Sequence, residues 1–394
     1  MNQTAYVVHR HPASQPVLFR SRLPNLDIEL TERCNNACLH CYINLPENDP
    51  KARQQELSTT EWQDILRQAA DLGALSLRIT GGEPLLREDF SEIYLFARRL
   101  GLVVQLFTNA RLITPALADL WVQFPLRDKI EITVYGMHPE TYDATVCAPG
   151  AYAEFRRGVE LLLERDVPFT VKTVALPQNQ ADLEDFKAWA SRLPGMDKSP
   201  GVTHKLLMRA RRDAPARNRL IACLRLSPEE VLRQESRDPQ AFRQEMSEFC
   251  GRFTGPHGTA LFGCGAGQGG SVDAYGKFQP CMLLRHPELV YDLRQGSLQD
   301  ALEHFFPRAL DRRATNPAYL ERCAKCFLHG LCDQCPAQSW MEHGTLDTPV
   351  EYWCQIAHAQ AVYLGLLHAG EKAWQVEDWK ERIAALQEEP SDGN

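Results

Sequence analysis

Cys34-Asn-Asn-Ala-Cys38-Leu-His-Cys41 places three thiols within eight residues. Such a triplet can grip one face of a cubane iron–sulfur cluster and leave its fourth iron without a protein ligand, whereas four-cysteine clusters are closed and suited to electron transfer. A zinc knot completed by His40 is the alternative, although structural zinc takes paired ligands at short spacing. One helical segment further on, Thr80-Gly81-Gly82-Glu83-Pro84 ends an apolar run. Glycines there let the backbone approach a partner closely, and Glu83 adds negative charge.

The whole chain bounds this chemistry. It has 394 residues, 13 of them cysteine, with 51 acidic against 43 basic side chains and a net charge of -8. An odd cysteine count in a chain this long does not suit a disulfide framework. Met1–Pro24 holds no continuous apolar stretch that would act as a signal sequence, and no run approaches the ~18 apolar residues of a membrane span. A reduced cytoplasm is expected, where clustered thiols point to metal. The acidic balance argues against nucleic acid as a partner, and no membrane partner is expected.

The elements that must position these residues alternate in kind. Strands are expected at 26–31, 75–80, 103–108, 130–135, 167–174 and 203–209. Helical spacing fills the intervals, most clearly at Trp62, Ile65, Leu66, Ala69 and Leu72 behind the capping-box pattern Ser58-Thr-Thr-Glu61. Thr114-Pro115 starts another helix. Six such repeats imply parallel strands with right-handed crossovers, an α/β partial (β/α)6 barrel with its chemistry at the carboxyl ends of the strands. Residues 1–24 form an amino-terminal arm, 25–215 the barrel, 216–249 a helical linker, 250–354 a loop-rich, cysteine-bearing domain and 355–394 a helical tail. The 250–354 segment is poor in periodicity and needs cross-linking by metal clusters for stability.

The cysteine triplet followed by the Gly-Gly-Glu-Pro turn resembles the radical S-adenosylmethionine (radical SAM) superfamily, and Tyr42 fits the aromatic that often follows the third cysteine. The resemblance implies that Cys34, Cys38 and Cys41 ligate a 4Fe–4S cluster whose open iron chelates the amino and carboxylate groups of SAM. It assigns Gly81, Gly82, Glu83 and Pro84 to the methionine amino group. Thr108-Asn109-Ala110 stands where the family often has Thr-Asn-Gly, so Thr108, Asn109, Thr133 and Tyr135 are implied cofactor contacts, or else turn formers, with Lys172 and Asn179 behind them. The implied chemistry is electron transfer into SAM, cleavage of a carbon–sulfur bond, and hydrogen abstraction from the substrate by a 5′-deoxyadenosyl radical. An external reductant such as flavodoxin or ferredoxin is implied as well.

Cys264, Gly276 with Cys281 five residues later, Cys323-Ala-Lys-Cys326, Cys332, Cys335 and Cys354 resemble the SPASM extension of that superfamily, which carries two auxiliary 4Fe–4S clusters. Cys335 departs from the pattern by lying two residues past Cys332 rather than three. By resemblance, Cys264, Cys281 and Cys335 hold the first auxiliary cluster, with Cys250 a candidate fourth ligand. Cys323, Cys326, Cys332 and Cys354 hold the second. Cys147 and Cys223 are left over. Two Cys-x-x-Cys pairs also suit one zinc, a reading that leaves Cys264, Cys281 and Cys354 unexplained.

SPASM enzymes act mostly on peptides and proteins, so the implied substrate is a ribosomally made peptide or protein. Met282 stands where sulfatase-maturing members often have a carboxylate. The short stretch before the first strand leaves no room for a winged peptide-binding domain, so a leader peptide needs a separate carrier protein or a groove on this chain. Arg209, Arg211, Arg212, Arg217 and Arg219 form a candidate basic rim for an acidic peptide, or a solvated run. Asp273 and Tyr275 are candidate catalytic groups, or turn residues. A small-molecule substrate such as a sugar or nucleoside is the alternative on the same fold. A non-catalytic iron–sulfur protein that transfers electrons or senses redox state is the remote one.

Overall fold

The computed structural model describes residues 22–253 and 255–388. Of the arm expected at 1–24, residues 1–21 lie outside the described residues, as do the last six of the tail. Compactness divides the chain into two units that interleave in sequence. The first runs up to Val202 and takes in Ala266–Met282 and Leu289–Pro307; the second holds Thr203–Gly265, Leu283–Glu288 and the chain from Arg308 on.

Five consecutive strands form the centre of the first unit's main sheet: β1 (Asn25–Glu29), β2 (Ser76–Thr80), β3 (Val103–Thr108), β4 (Arg127–Val134) and β5 (Phe169–Val174). Each pairs in parallel with the next. A short β6 (Gly201–Thr203) follows at the sheet edge. Helices α1 (Thr59–Asp71), α2 (Phe90–Arg99), α3 (Pro115–Gln123), α4 (Pro139–Val146), α5 (Ala151–Leu163) and α6 (Leu183–Ala190) make the crossovers, giving the open (β/α)6 partial barrel. The capping box at Ser58 and Glu61 forms, and the Thr114 hydroxyl caps α3 at the Leu117 amide. Ile28, Ile79, Leu106 and Ile132 are fully buried, as are Trp62 and Leu66 of α1 and Ile93 of α2. Each such side chain stabilises the fold by roughly 1.5–3 kcal/mol. Side chains alternate across a strand, so the opposite face carries Asp27, Arg78 and Gln105. Arg78 donates there to Asp27 at 3.2 Å and to Gln105 at 3.3 Å.

The sheet also has members that sequence periodicity does not reveal. β7 (Gly270–Val272) pairs in parallel with β1, and β8 (Lys277–Gln279) and β9 (Tyr291–Asp292) continue antiparallel from it. Part of the cysteine-rich segment thus belongs to the barrel sheet. In the second unit, residues 204–209 are not the strand expected of their apolar run. Their backbone is engaged by side chains: the Arg209 amide donates to Asn218, and Arg225 donates to the Leu206 carbonyl. Helices α7 (Pro239–Arg252), α8 (Glu351–Tyr363) and α9 (Trp379–Glu388) bury Phe242, Ala357, Ala361, Ile383 and Leu386 in one apolar cluster with Phe327, Leu328 and Leu331. Among the described residues, no helix is long and apolar enough to cross a membrane.

Candidate active site

The cysteine loop leaves the carboxyl end of β1 and is fastened to the end of β2 through the backbone. The Gly82 amide donates to the Thr31 carbonyl at 2.6 Å and the Glu83 amide to the Arg33 carbonyl at 2.9 Å. A Cβ at Gly81 would stand 2.3 Å from the Thr31 oxygen, and one at Gly82 would stand 2.2 Å from the Arg33 oxygen. Gly81 also has φ +133°, in the region that glycine alone adopts readily. The glycine pair therefore serves this chain's own backbone, letting the turn lie directly against the segment that leads into Cys34.

Glu83 ties in the third strand. Fully buried, it accepts from the Thr108 hydroxyl at 2.8 Å, the Asn109 amide at 2.8 Å and the Leu85 amide at 3.1 Å. Burial pushes its carboxyl up to about 7, against the pull of those donors and of Arg111. Asn109 in turn donates to Asn35 at 2.7 Å and approaches the Cys34 sulfur at 3.9 Å. Arg111 reaches the Asn35 carbonyl and the Asn36 side chain, and pairs with Glu154 of α5. Asn35, Asn36, Arg111 and Glu154 are supports that sequence reasoning missed. The only local sign is Ala110, at φ +65° in the position where glycine is expected.

The three thiols fit a cluster. The Cys34 sulfur accepts the Asn36 amide and the Cys41 sulfur the Asn44 amide, each at 3.4 Å, while the Tyr135 hydroxyl bonds Cys38. These contacts favour a charged, ligating sulfur. Burial raises the Cys34 and Cys38 thiols, so a bound metal has to displace their protons. The ring of His40 lies 5.7 Å from that of Tyr135, and Tyr135 meets Tyr142 edge-on. Among the described residues, no three His, Cys, Asp or Glu side chains converge as they would around a single ion.

Other candidates have structural occupations. Thr133 is half-buried near the end of β4. Lys172 pairs with Glu131 and lies 3.7 Å above the Phe107 ring. Asn179 closes the turn after β5 by donating to the Tyr135 and Val174 carbonyls. Asp273 is buried and accepts the Tyr275 and Lys277 amides, so it organises the β7–β8 turn. The Tyr275 hydroxyl donates to Glu32, and the Tyr42 hydroxyl donates to the Met282 sulfur at 3.2 Å.

In the second unit, one cavity of about 300 Å³ is lined by Cys264, Cys323, Cys326, Cys332, Cys335 and Cys354. Cys250 is not among its lining residues and packs in the apolar cluster with Phe242, Phe327 and Leu331. Cys281 falls in the first unit. His329 faces His257, with ring centroids 3.4 Å apart. Cys147 and Cys223 are exposed. Of the arginine run, Arg209 is buried on Asp213, and Arg212 donates to the Trp340 and Met341 carbonyls. These two act as internal braces.

Residues 28–190 match the radical SAM superfamily model. The chain is 33% identical over 165 residues to a PqqA peptide cyclase of Rhizobium meliloti (strain 1021), covering 42% of this chain and 43% of that protein. It is 32% identical over 155 residues to an AdoMet-dependent heme synthase of Methanosarcina barkeri (strain Fusaro / DSM 804), covering 39% and 43%. The match thus spans less than half the length of these curated relatives. In fold, the chain is similar to Streptococcus suis SuiB bound to S-adenosylmethionine, with a TM-score of 0.53 and 18% identity over 82% of this chain and 75% of that one.

Proposed function

We propose that the protein, whose residues 28–190 match the radical SAM superfamily model, is an enzyme that abstracts hydrogen from a ribosomally made peptide or protein in order to modify it. The observation that carries this reading is the locked loop: three thiols already accepting amide or hydroxyl donors, bound by backbone to Gly82 and Glu83. When bound, the 4Fe–4S cluster and SAM supply the hydrogen-abstracting chemistry. Cys34, Cys38 and Cys41 hold the cluster. Gly81, Gly82, Glu83 and Pro84, with Thr108, Asn109, Thr133 and Tyr135, form the cofactor's surroundings. The tyrosine cluster beside Cys38 helps keep that thiol buried.

A peptide substrate is supported by the likeness to a peptide cyclase and by the cysteine-lined cavity of the second unit, which suits auxiliary clusters. Cys323, Cys326, Cys332 and Cys354 would hold one of these, and Cys264, Cys281 and Cys335 the other. The modification would be a cross-link, thioether, epimerisation or oxidation. The reading takes a cytoplasmic setting, a flavodoxin or ferredoxin as electron donor, and a separate leader-binding protein. The likeness to a heme synthase favours a second reading, in which the same domain acts on a small molecule.

Anaerobic reconstitution, iron counting and mass spectrometry against peptides encoded nearby test the proposal. Three clusters give about twelve irons per chain. Replacing Cys34, Cys38 and Cys41 together by Ala is expected to abolish 5′-deoxyadenosine formation; retained formation refutes the assignment. SAM cleavage stimulated by a small molecule and by no peptide moves the conclusion to the second reading.

A further inference from the structure

Arg322 stands immediately before Cys323 in sequence, yet its guanidinium is aimed at a different cysteine. Nη2 lies 3.5 Å from the Cys354 sulfur. Glu351, in the same helical turn as Cys354, accepts from Nη1 at 2.5 Å and from Nη2 at 3.0 Å. The Trp374 ring lies 4.9 Å from the guanidinium carbon. His358, one turn after Cys354, completes the surroundings: Nδ1 is 2.8 Å from the Cys354 carbonyl and 3.6 Å from its sulfur. Nε2 accepts the Ala373 amide at 3.3 Å, so the imidazole proton sits on Nδ1 and points at Cys354.

A guanidinium does not lose its proton in proteins, so this sulfur has a permanent positive charge within hydrogen-bond reach. The Arg322 side chain is 23% exposed and that of Glu351 is 60% exposed, so water screens the carboxylate more than the guanidinium. A cluster gains one negative charge on reduction. Hydrogen bonds to its sulfurs and nearby positive charge favour that state.

We propose that Arg322 raises the reduction potential of the cluster ligated by Cys323, Cys326, Cys332 and Cys354. This rests on the auxiliary-cluster reading above. Trp374 and Glu351 act by holding the guanidinium on Cys354.

The test is a potentiometric titration of the reconstituted protein followed by electron paramagnetic resonance, which resolves clusters by signal. Arg322→Gln removes the charge and is expected to lower one potential and leave two unmoved. The expected size is about a tenfold fall in the reduced-to-oxidised ratio at fixed ambient potential, or ~59 mV for a one-electron couple. Arg322→Lys keeps the charge and is expected to recover most of the shift. Glu351→Gln keeps an acceptor oxygen to hold the guanidinium while removing the opposing charge, and is expected to move the same potential upward, an outcome that does not depend on Arg322→Gln folding. Full iron with unmoved potentials in these variants overturns this proposal alone. About four irons in the wild-type protein overturns the auxiliary-cluster reading and this proposal with it.

Discussion

The Thr108 hydroxyl donates to the Glu83 carboxylate at 2.8 Å with both side chains buried, joining the carboxyl ends of two neighbouring strands at the candidate cofactor site. Burial pushes the Glu83 acid up to about 7, above the ~4.3 of a free glutamate. The folded chain therefore keeps a proton that the unfolded chain has released. The stability contributed by this proton is fully present below pH ~4.3 and is lost as pH rises through about 7. Glutamine cannot titrate. Urea unfolding of the metal-free protein is expected to show Glu83→Gln gaining about 3 kcal/mol on wild type between pH 4.5 and 7.5. Parallel pH curves for the two proteins would remove Glu83 as a titrating group.

Gly82→Ala tests the backbone lock. Its Cβ would meet the Arg33 carbonyl at 2.2 Å and the Glu32 carbonyl at 2.6 Å. Both neighbours are main chain, so relief requires the segment leading into Cys34 to move. The expected cost is about 3 kcal/mol, with loss of about four irons per chain and of SAM cleavage while the remaining irons stay bound. Wild-type iron and SAM cleavage in this variant would show that the loop can be displaced without harm to the site.

The part of this site that was legible in the sequence is the part written in short spacings. Cys34, Cys38, Cys41 and the glycine turn are local patterns, and β1 to β5 announce themselves by apolar runs between helical stretches. β7 to β9 did not, because two or three residues carry no period and β7 is specified by its pairing with β1 far away in sequence. The run before Arg209 read as a strand because its residues are apolar, but Asn218 and Arg225 take its backbone groups. Asn179 was a cofactor contact by resemblance and Asp273 a catalytic candidate or a turn residue; in the structure both close turns. Arg111 went unread because nothing local distinguishes an arginine that braces a loop from one in solvent.

Ala110 sits at φ +65° between Asn109 and Arg111, both of which brace the cysteine loop. A left-handed alanine costs roughly 1–2 kcal/mol, and glycine adds roughly 0.5–1 kcal/mol of chain entropy on folding. Ala110→Gly is therefore expected to stabilise the protein by about 0.5–1 kcal/mol and to leave SAM cleavage unchanged. Thermal unfolding measures this, and a lower melting temperature would count against strain at this residue.

Cys250 separates two ways of counting ligands. Eight thiolates would close both auxiliary clusters, yet Cys250 lies among Phe242, Phe327 and Leu331, off the cavity that six other cysteines line. Burial alone pushes its thiol up to about 11. The backbone of Gly330 also presses against it: a Cβ there would stand 2.9 Å from the Cys250 Cα. A packed thiol exchanged for alanine loses one buried heavy atom, at about 1 kcal/mol, and no iron. A ligand exchanged for alanine loses a cluster corner. Cys250→Ala is expected to keep about twelve irons and an unchanged auxiliary-cluster spectrum, while Cys332→Ala loses about four. Loss of iron in Cys250→Ala would instead make it the fourth ligand of the first auxiliary cluster and close that cluster to substrate.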